Sequence, residues 1–331
     1  MRFATYNVEW MNSLFDQAGE LWNDDARSAR HNVTRSAQTQ ALRTVFRALD
    51  ADAIMVIEAP DHSLDTVRAL ERFAAFADLR ARRVIIGFTN DTQQEIALLY
   101  DPDTLNVRHD PQQHTGAPRF NDSFDIDLDI DAAKDRVVFS KPPLELEVET
   151  LRGAQLRIIG AHLKSKAPHG ARDRDEVMRI SIANRRKQLA QAIWLRARID
   201  AVLADQSPVM LMGDLNDGPG LDEYENLFGR SSVEIILGEG DTALFDPHAR
   251  QALQRRLGAT PTTARFWIRP EQRYLQALLD YIMVSADLAR LTPSWRIWHP
   301  MDDPECWAHP DLRDALVTAS DHFPVSLDIT L

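Results

Sequence analysis

Apolar residues along this chain fall into two rhythms. Between residues 35 and 49, Leu42, Val45, Phe46 and Leu49 recur at steps of three and four. That spacing lays one apolar stripe along a helix. Residues 64–79 and 181–204 also read as helices, the second of them long. The other rhythm is the short dense run. Residues 53–57, 208–213 and 278–284 are largely apolar, which suits strands covered on both faces. Residues 2–9, 96–100, 144–148 and 156–163 are further strands, and Val325, Leu327, Ile329 and Leu331 alternate through a last one.

Residues 124–131, FDIDLDID, alternate strictly, as a half-exposed strand does. Asp125, Asp127, Asp129 and Asp131 then share one solvated face. Calcium binding is the alternative, but a calcium loop needs turning glycines and carbonyl ligands. Strands and helices interleave over the whole length, which predicts one α/β domain spanning residues 1–331. No repeat, low-complexity tract or linker interrupts it. Segments 11–34, 165–178 and 238–275 are loop-rich and are expected to surround a site.

Composition narrows the picture a little. The single cysteine, Cys306, cannot close an intrachain disulfide, so no oxidising compartment is implied. Met1 leads at once into RFATYNVEW, a strand rather than a basic and then apolar leader. No apolar run nears the roughly 20 residues of a membrane helix. The expectation is a cytoplasmic chain without membrane insertion, and no protein partner is indicated. The net charge of −12 argues against a basic clamp on long duplex DNA. From Lys164 to Arg198, however, ten Lys/Arg face three Asp/Glu, a local +7. Such a run is either a solvated helix face or a contact for a polyanion.

The chemistry collects where apolar strands stop. In MLMGDLNDGPG, Asp214 and Asn216 follow Met210-Leu211-Met212-Gly213. Asn7 follows RFATY, Glu58 follows AIMVI, His162 follows RIIGA, Asp280 lies within ALLDYIMVS, and Asp321-His322 precede FPVSLDI. Open α/β sheets bind ligands at strand ends. Each residue alone has a plain structural explanation: a capped turn at Asp214 and Asn216, a helix cap or arginine partner at Glu58, a satisfied buried histidine at His162. The coincidence of so many is harder to explain that way.

TYNVEW with LFD after it, VIEAPD, GAHLKSK, GDLND, LDYIMVS and SDHFPV stand in an order that resembles the endonuclease/exonuclease/phosphatase (deoxyribonuclease I-like) superfamily. The resemblance covers residues 3 to 329. It implies a four-layer α/β sandwich, two mixed β-sheets packed face to face with helices outside. It also implies Glu58 as principal Mg²⁺ ligand, with Asn7 and Asp321 supporting, and Mn²⁺ or Ca²⁺ as substitutes. Asp214 and Asn216 would hold the attacking water and the phosphate, or a second metal. His322, oriented by Asp280, would be general base or phosphate contact. His162 would bind or protonate the phosphate, with Glu95 as its partner. Lys141 falls where many members carry a phosphate-binding arginine, and a lysine offers a point charge rather than a planar fork. Ile57 stands where the glutamate motif often has Gln, and VEWMNSLFD is longer than the usual first loop.

These residue types suit phosphate-ester cleavage. Mg²⁺ takes oxygen ligands and keeps waters, so one or two carboxylates suffice. Histidine titrates near neutral pH, and a carboxylate fixes its tautomer. The expectation is a Mg²⁺- or Mn²⁺-dependent phosphodiesterase with DNA or RNA as leading substrate class. A small-molecule or lipid-headgroup phosphodiesterase or phosphatase is the alternative, and an inactive binding protein on the same fold is another. Lys164 and Arg185 of the basic run are expected to hold further phosphates. Trp10, Phe15, Trp22, Phe266 and Trp267 are candidate groove aromatics or ordinary core and rim residues, and Trp295, Trp298 and Trp307 stay open between wall, interface and core.

Overall fold

The structure is a computed structural model that describes residues 1–61, 65–92, 94–128, 135–168, 170–218, 229–254, 259–268 and 272–331. Two sheets carry it. In the first, β1 (Arg2–Asn7) runs parallel to β2 (Ala53–Ala59). Antiparallel strands flank this pair: β15 (Val325–Asp328) beside β1, and β4 (Glu95–Tyr100) beside β2. The edges are β14 (Ser294–Ile297) and β3 (Arg83–Ile86). The second sheet repeats the plan. Its parallel pair is β9 (Gln155–His162) with β10 (Val209–Asp214). Antiparallel β13 (Asp280–Val284) flanks β10, β8 (Leu144–Thr150) flanks β9, and β5 (Leu105–His109) closes the edge.

Side-chain parity builds the layers, because successive strand residues point to opposite faces. Phe3, Met55 and Ile57 face Ile158, Met210, Met212 and Ile282 in a core between the sheets. The alternate residues Ala4, Tyr6, Ile54 and Val56 pack outward on α1 (Arg35–Leu49), α2 (Thr66–Ala77) and the helix Pro310–Ala319. Ile159, Leu211 and Met283 pack outward on α3 (Arg174–Ala204), α4 (Ser232–Leu237) and nearby side chains including Ala249. Helix, sheet, sheet, helix is therefore the layering, as expected. A Cβ at Gly160 would lie 2.4 Å from Met55 Sδ, so a bare glycine lets the sheets close at that point. The start of the chain is stitched to β15: the Met1 ammonium donates to Ile329 O at 2.6 Å, and Ile329 N donates back to Met1 O at 2.9 Å.

Several boundaries differ from the sequence expectation. The first strand stops at Asn7, because Glu9 and Trp10 take left-handed backbone, with φ of 47° and 59°. The long helix starts at Arg174, inside the segment expected to be loop. Asp173 caps it by accepting from Glu176 N, and Asp175 and Glu176 favour its N-terminus electrostatically. Apolar periodicity is silent about such a polar first turn. Segment 238–275 holds α5 (Pro247–Leu253) and β11 (Ala264–Ile268), and it runs into β12 (Arg273–Ala277), which pairs antiparallel with β11. Among the described residues of the alternating segment, Phe124–Ile126 form strand β6, paired with β7 (Asp135–Val137). Asp125 and Asp127 are exposed there, while positions 129–131 lie outside the described residues, as do Pro219 and Gly220. Among the described residues no helix is long and apolar enough to cross a membrane.

Candidate active site

Parity also delivers the polar residues. Asn7, His162, Asp214 and Asp280 lie in phase with the core between the sheets, as the residues beyond Phe3, Ile158, Met210 and Ile282 at one end of their strands. His162, Asp214 and Asp280 are register partners in a single row across β9, β10 and β13. Gly213 makes that row possible. Its φ is +139°, and a Cβ would lie 2.0 Å from Ala161 O, so only glycine lets β10 meet β9 there.

Glu58 breaks the parity rule. By alternation from Ile57 it would face the helices. A bulge between Ile57 and Ala59, with Glu58 at φ 65°, re-aims it toward the site. Its Oε2 accepts from Trp10 N at 2.9 Å, and its Oε1 lies 3.5 Å from Asn7 Nδ2.

Asp214 is the hub. Its Oδ2 accepts from Asn7 Nδ2 at 3.1 Å, across the gap between sheets, and from Asn216 Nδ2 at 3.2 Å. Its Oδ1 accepts from Asn216 N at 2.7 Å. His162 Nε2 stands 3.7 Å and His322 Nε2 4.0 Å from the same Oδ2. His322 Nδ1 bonds Asp280 Oδ2 at 2.8 Å. The segment bearing His322 is anchored by Ser320 Oγ, which donates to Asn7 O at 2.8 Å and accepts from His322 N. Lys141 Nζ reaches His162 Nε2 at 2.9 Å and Gln94 Oε1 at 3.2 Å.

Burial and neighbours then set the charges. Burial pushes the Asp214 carboxyl up to about 7, against the pull of His322. Burial likewise raises Glu58, against the Trp10 N–H and the Lys141 charge. Burial lowers the Lys141 ammonium to about 8, with Glu58 and Asp214 opposing. His162 is held well below its ordinary value by burial and by the charges of Lys141, His322 and Lys164. Burial would lower His322 too, but Asp280, by charge and hydrogen bond, with Asp214 and Asp321, holds it well above.

The structure thus brings together Asn7, Glu58, Lys141, His162, Asp214, Asn216, Asp280 and His322. Asp321 sits at the rim, half-buried; its N–H donates to Glu9 Oε2, and its charge acts on Glu58 and His322. Lys164 is half-buried, and its charge acts on Lys141 and His162. Two expectations need correction. Arg185 is not presented for phosphate: it is buried, with NH1 2.9 Å from Asp217 Oδ2, because that buried carboxylate needs its cation. Glu95 does not hold His162. Its carboxylate accepts from Asn90 N and Nδ2, and His162 Nδ1 has no hydrogen-bond partner among the described residues.

Phe15 is buried core rather than groove, whereas Trp10, Trp22 and Trp267 are exposed. Phe266 stands edge-on to His322, with ring centroids 5.5 Å apart. Trp298 is buried, Trp295 packs on Phe245, and Trp307 is exposed. Sequence reasoning missed Glu9, which pairs with Arg30 and holds the Asp321 backbone. It also missed Gln94, the second partner of Lys141. Glu9 lay within the quoted TYNVEW, two residues past Asn7, so position was its one available signal.

With this geometry in hand, likeness to known proteins can be stated. The profile of the Endonuclease/Exonuclease/phosphatase family matches residues 4–322. No curated protein matches the sequence. Among solved structures, TDP2 from C. elegans superposes with a TM-score of 0.52 at 13% identity, over 100% of this chain and 75% of that one. SmcL gives 0.51 at 13% identity, covering 99% and 98% of the two chains. The human Nocturnin catalytic domain gives 0.50 at 17% identity, covering 100% and 94%. At such identities the likeness is one of fold.

Proposed function

The chain belongs to the endonuclease/exonuclease/phosphatase family, and from that premise we propose that it is a divalent-cation-dependent phosphodiesterase acting on DNA or RNA. The observation that carries the phosphodiesterase reading is the Asp214 hub, flanked by the Asp280–His322 pair, by Lys141 with His162, and by Glu58 with Asn7.

The residues fit a hard divalent cation such as Mg²⁺ or Mn²⁺. Asp214 is buried and Glu58 half-buried, and both carboxyls are raised above their ordinary range, as acids short of neutralising charge are. Asp280 Oδ1 is buried without a hydrogen-bond partner among the described residues. Glu58, with Asn7 and Asp321, would hold the cation. Asp214, Asp280 and His322 also offer donor atoms within 4.8 Å of one another. Asp280 and His322 already bond each other, so Glu58 is the better seat. When bound, the cation polarises the phosphoryl group and steadies the leaving oxygen.

The chain's own residues do the rest. Asp214, raised toward neutrality, takes the proton of the attacking water, which Asn216 helps to place. His322 already carries its proton under the Asp280 carboxylate, so it donates from Nε2 to a phosphate oxygen rather than acting as base. Lys141 offers its charge to the phosphate. Neutral His162 accepts from Lys141 and keeps it aimed.

One observation favours a compact ester instead of a polynucleotide. Much of the basic run is committed internally: Lys166 and Arg185 to Asp217, Arg172 to Glu176, Arg186 to Asp135, Arg196 to Asp200 and Arg198 to Glu145. Arg174, Arg179 and Lys187 remain exposed, so only part of the local +7 is left to face a polyanion. Hydrolysis of single- and double-stranded DNA and RNA, set against bis-p-nitrophenyl phosphate, p-nitrophenyl phosphate and headgroup esters, with Mg²⁺, Mn²⁺ or EDTA, tests both readings. Metal-dependent cleavage of polynucleotides supports the nuclease. Turnover of small diesters alone moves the substrate to the compact class. No turnover by folded protein would return the inactive binding fold.

A further inference from the structure

The loops that follow β9 and β10 carry much of the site, and α3 grips both. Arg185, Gln188 and Gln191 are spaced three residues apart and so share one helix face. Gln188 is fully buried. Its Nε2 donates to Lys164 O at 2.9 Å and to Asn216 O at 2.9 Å. Its Oε1 accepts from Ser232 Oγ and Arg185 NH1, each at 3.2 Å. Gln191 Oε1 accepts from Lys164 N at 2.9 Å. Arg185 continues the comb to Asp217, which also takes Lys166 Nζ at 2.5 Å and Ser232 N at 2.7 Å.

We infer that Gln188 is a positioning residue: its single amide ties the carbonyl of Lys164 to that of Asn216 and so holds in place, relative to each other, the two loops that carry these residues beside His162 and Asp214. The inference rests on the phosphodiesterase reading and adds to it a residue that touches no substrate. A primary amide supplies two donors and an acceptor from one plane, which this junction uses in full. Leucine has similar bulk and supplies none, leaving buried carbonyls unpaired. The two loops would then lose their mutual position, although β9 and β10 stay paired in their sheet.

The same helix provides the control. Arg198 is buried against Glu145 and Pro118 O, and bonds neither site loop. Its loss should weaken the fold without moving the site.

The experiment compares Gln188→Leu and Arg198→Met in the full chain by two readouts. One is hydrolysis of bis-p-nitrophenyl phosphate with Mn²⁺. The other is amide hydrogen exchange in residues 163–166 and 215–218. For Gln188→Leu, kcat should fall by about 10- to 100-fold, KM should stay within about twofold, and both loops should exchange about tenfold faster. Arg198→Met should lower Tm while kcat and both loops stay as in the wild type. Unchanged kcat and exchange in folded Gln188→Leu would overturn the inference, as would equal effects from Arg198→Met. Should Gln188→Leu not fold, Gln191→Leu takes its place. That variant should speed exchange in 163–166 and not in 215–218, and no change in either loop would count against the comb. If the wild type hydrolyses nothing, the hydrolase reading fails separately, and loop exchange alone decides whether Gln188 ties the loops.

Discussion

His322 stands on one side of Asp214 and His162 on the other, 4.0 and 3.7 Å from the same carboxylate oxygen. Both are buried. Burial alone would lower both alike. What separates them is the second neighbour of each ring. Asp280 charges His322, while Lys141 keeps His162 neutral. One site thus holds a proton donor and a neutral acceptor built from the same side chain. Depth makes a histidine sensitive, and the sign of its partner decides the role.

The largest effect should come from destroying the His322 side. His322→Ala and Asp280→Asn should each lower kcat by about 10³- to 10⁴-fold, near the upper range for a positioned acid–base group. His162→Ala should cost about tenfold in the same assay, since its ring acts through Lys141. Equal losses from the two histidines would break the comparison. Next comes Lys141→Met, which should raise KM by about 10- to 100-fold, the worth of a charge-assisted contact, with kcat less affected.

The pH dependence sharpens the same side. Lys141 is charged below about 8 and loses its proton above it. KM should therefore climb as pH rises through 8, by up to about tenfold for each pH unit. Lys141→Arg should flatten that limb, because a guanidinium stays charged. A limb that persists in the arginine variant belongs to another group. The smallest effect is on stability. The ammonium of Lys141 is lowered in the fold relative to the unfolded chain, so its burial penalty is fully present below about pH 8 and fades toward 10.5. Lys141→Met should stabilise the protein at pH 7 by about 1–3 kcal/mol, read as a higher denaturation midpoint that converges with the wild type at high pH. Asp280→Asn should move stability the other way, because it strips the counter-charge from His322.

Much of the plan is legible along the chain. Alternation places Asn7, His162, Asp214 and Asp280 in phase with the core between the sheets, so their motifs point to one strand-end site. Glu58 could be named from its motif, but its aim depends on a bulge that no periodicity marks. The short strands β3 and β14, of four residues each, carry too little pattern to stand out. Arg185 and Glu95 went wrong for a shared reason. A charge in a sequence shows what it is able to bind, whereas its partner, Asp217 or Asn90, is chosen by packing. Gln188 was invisible for the converse reason: a helical glutamine reads as surface until the fold buries it.

The seam between β1 and β15 also has a timing side. Asn7 leaves the ribosome early, and Asp321 and His322 only some three hundred residues later. Until segment 320–328 is made, β1 lacks its antiparallel neighbour and Asp214 lacks one of its histidines. Contacts so distant along the chain form slowly. A nascent or truncated chain therefore carries most of the groups of the candidate site without the segment that completes it.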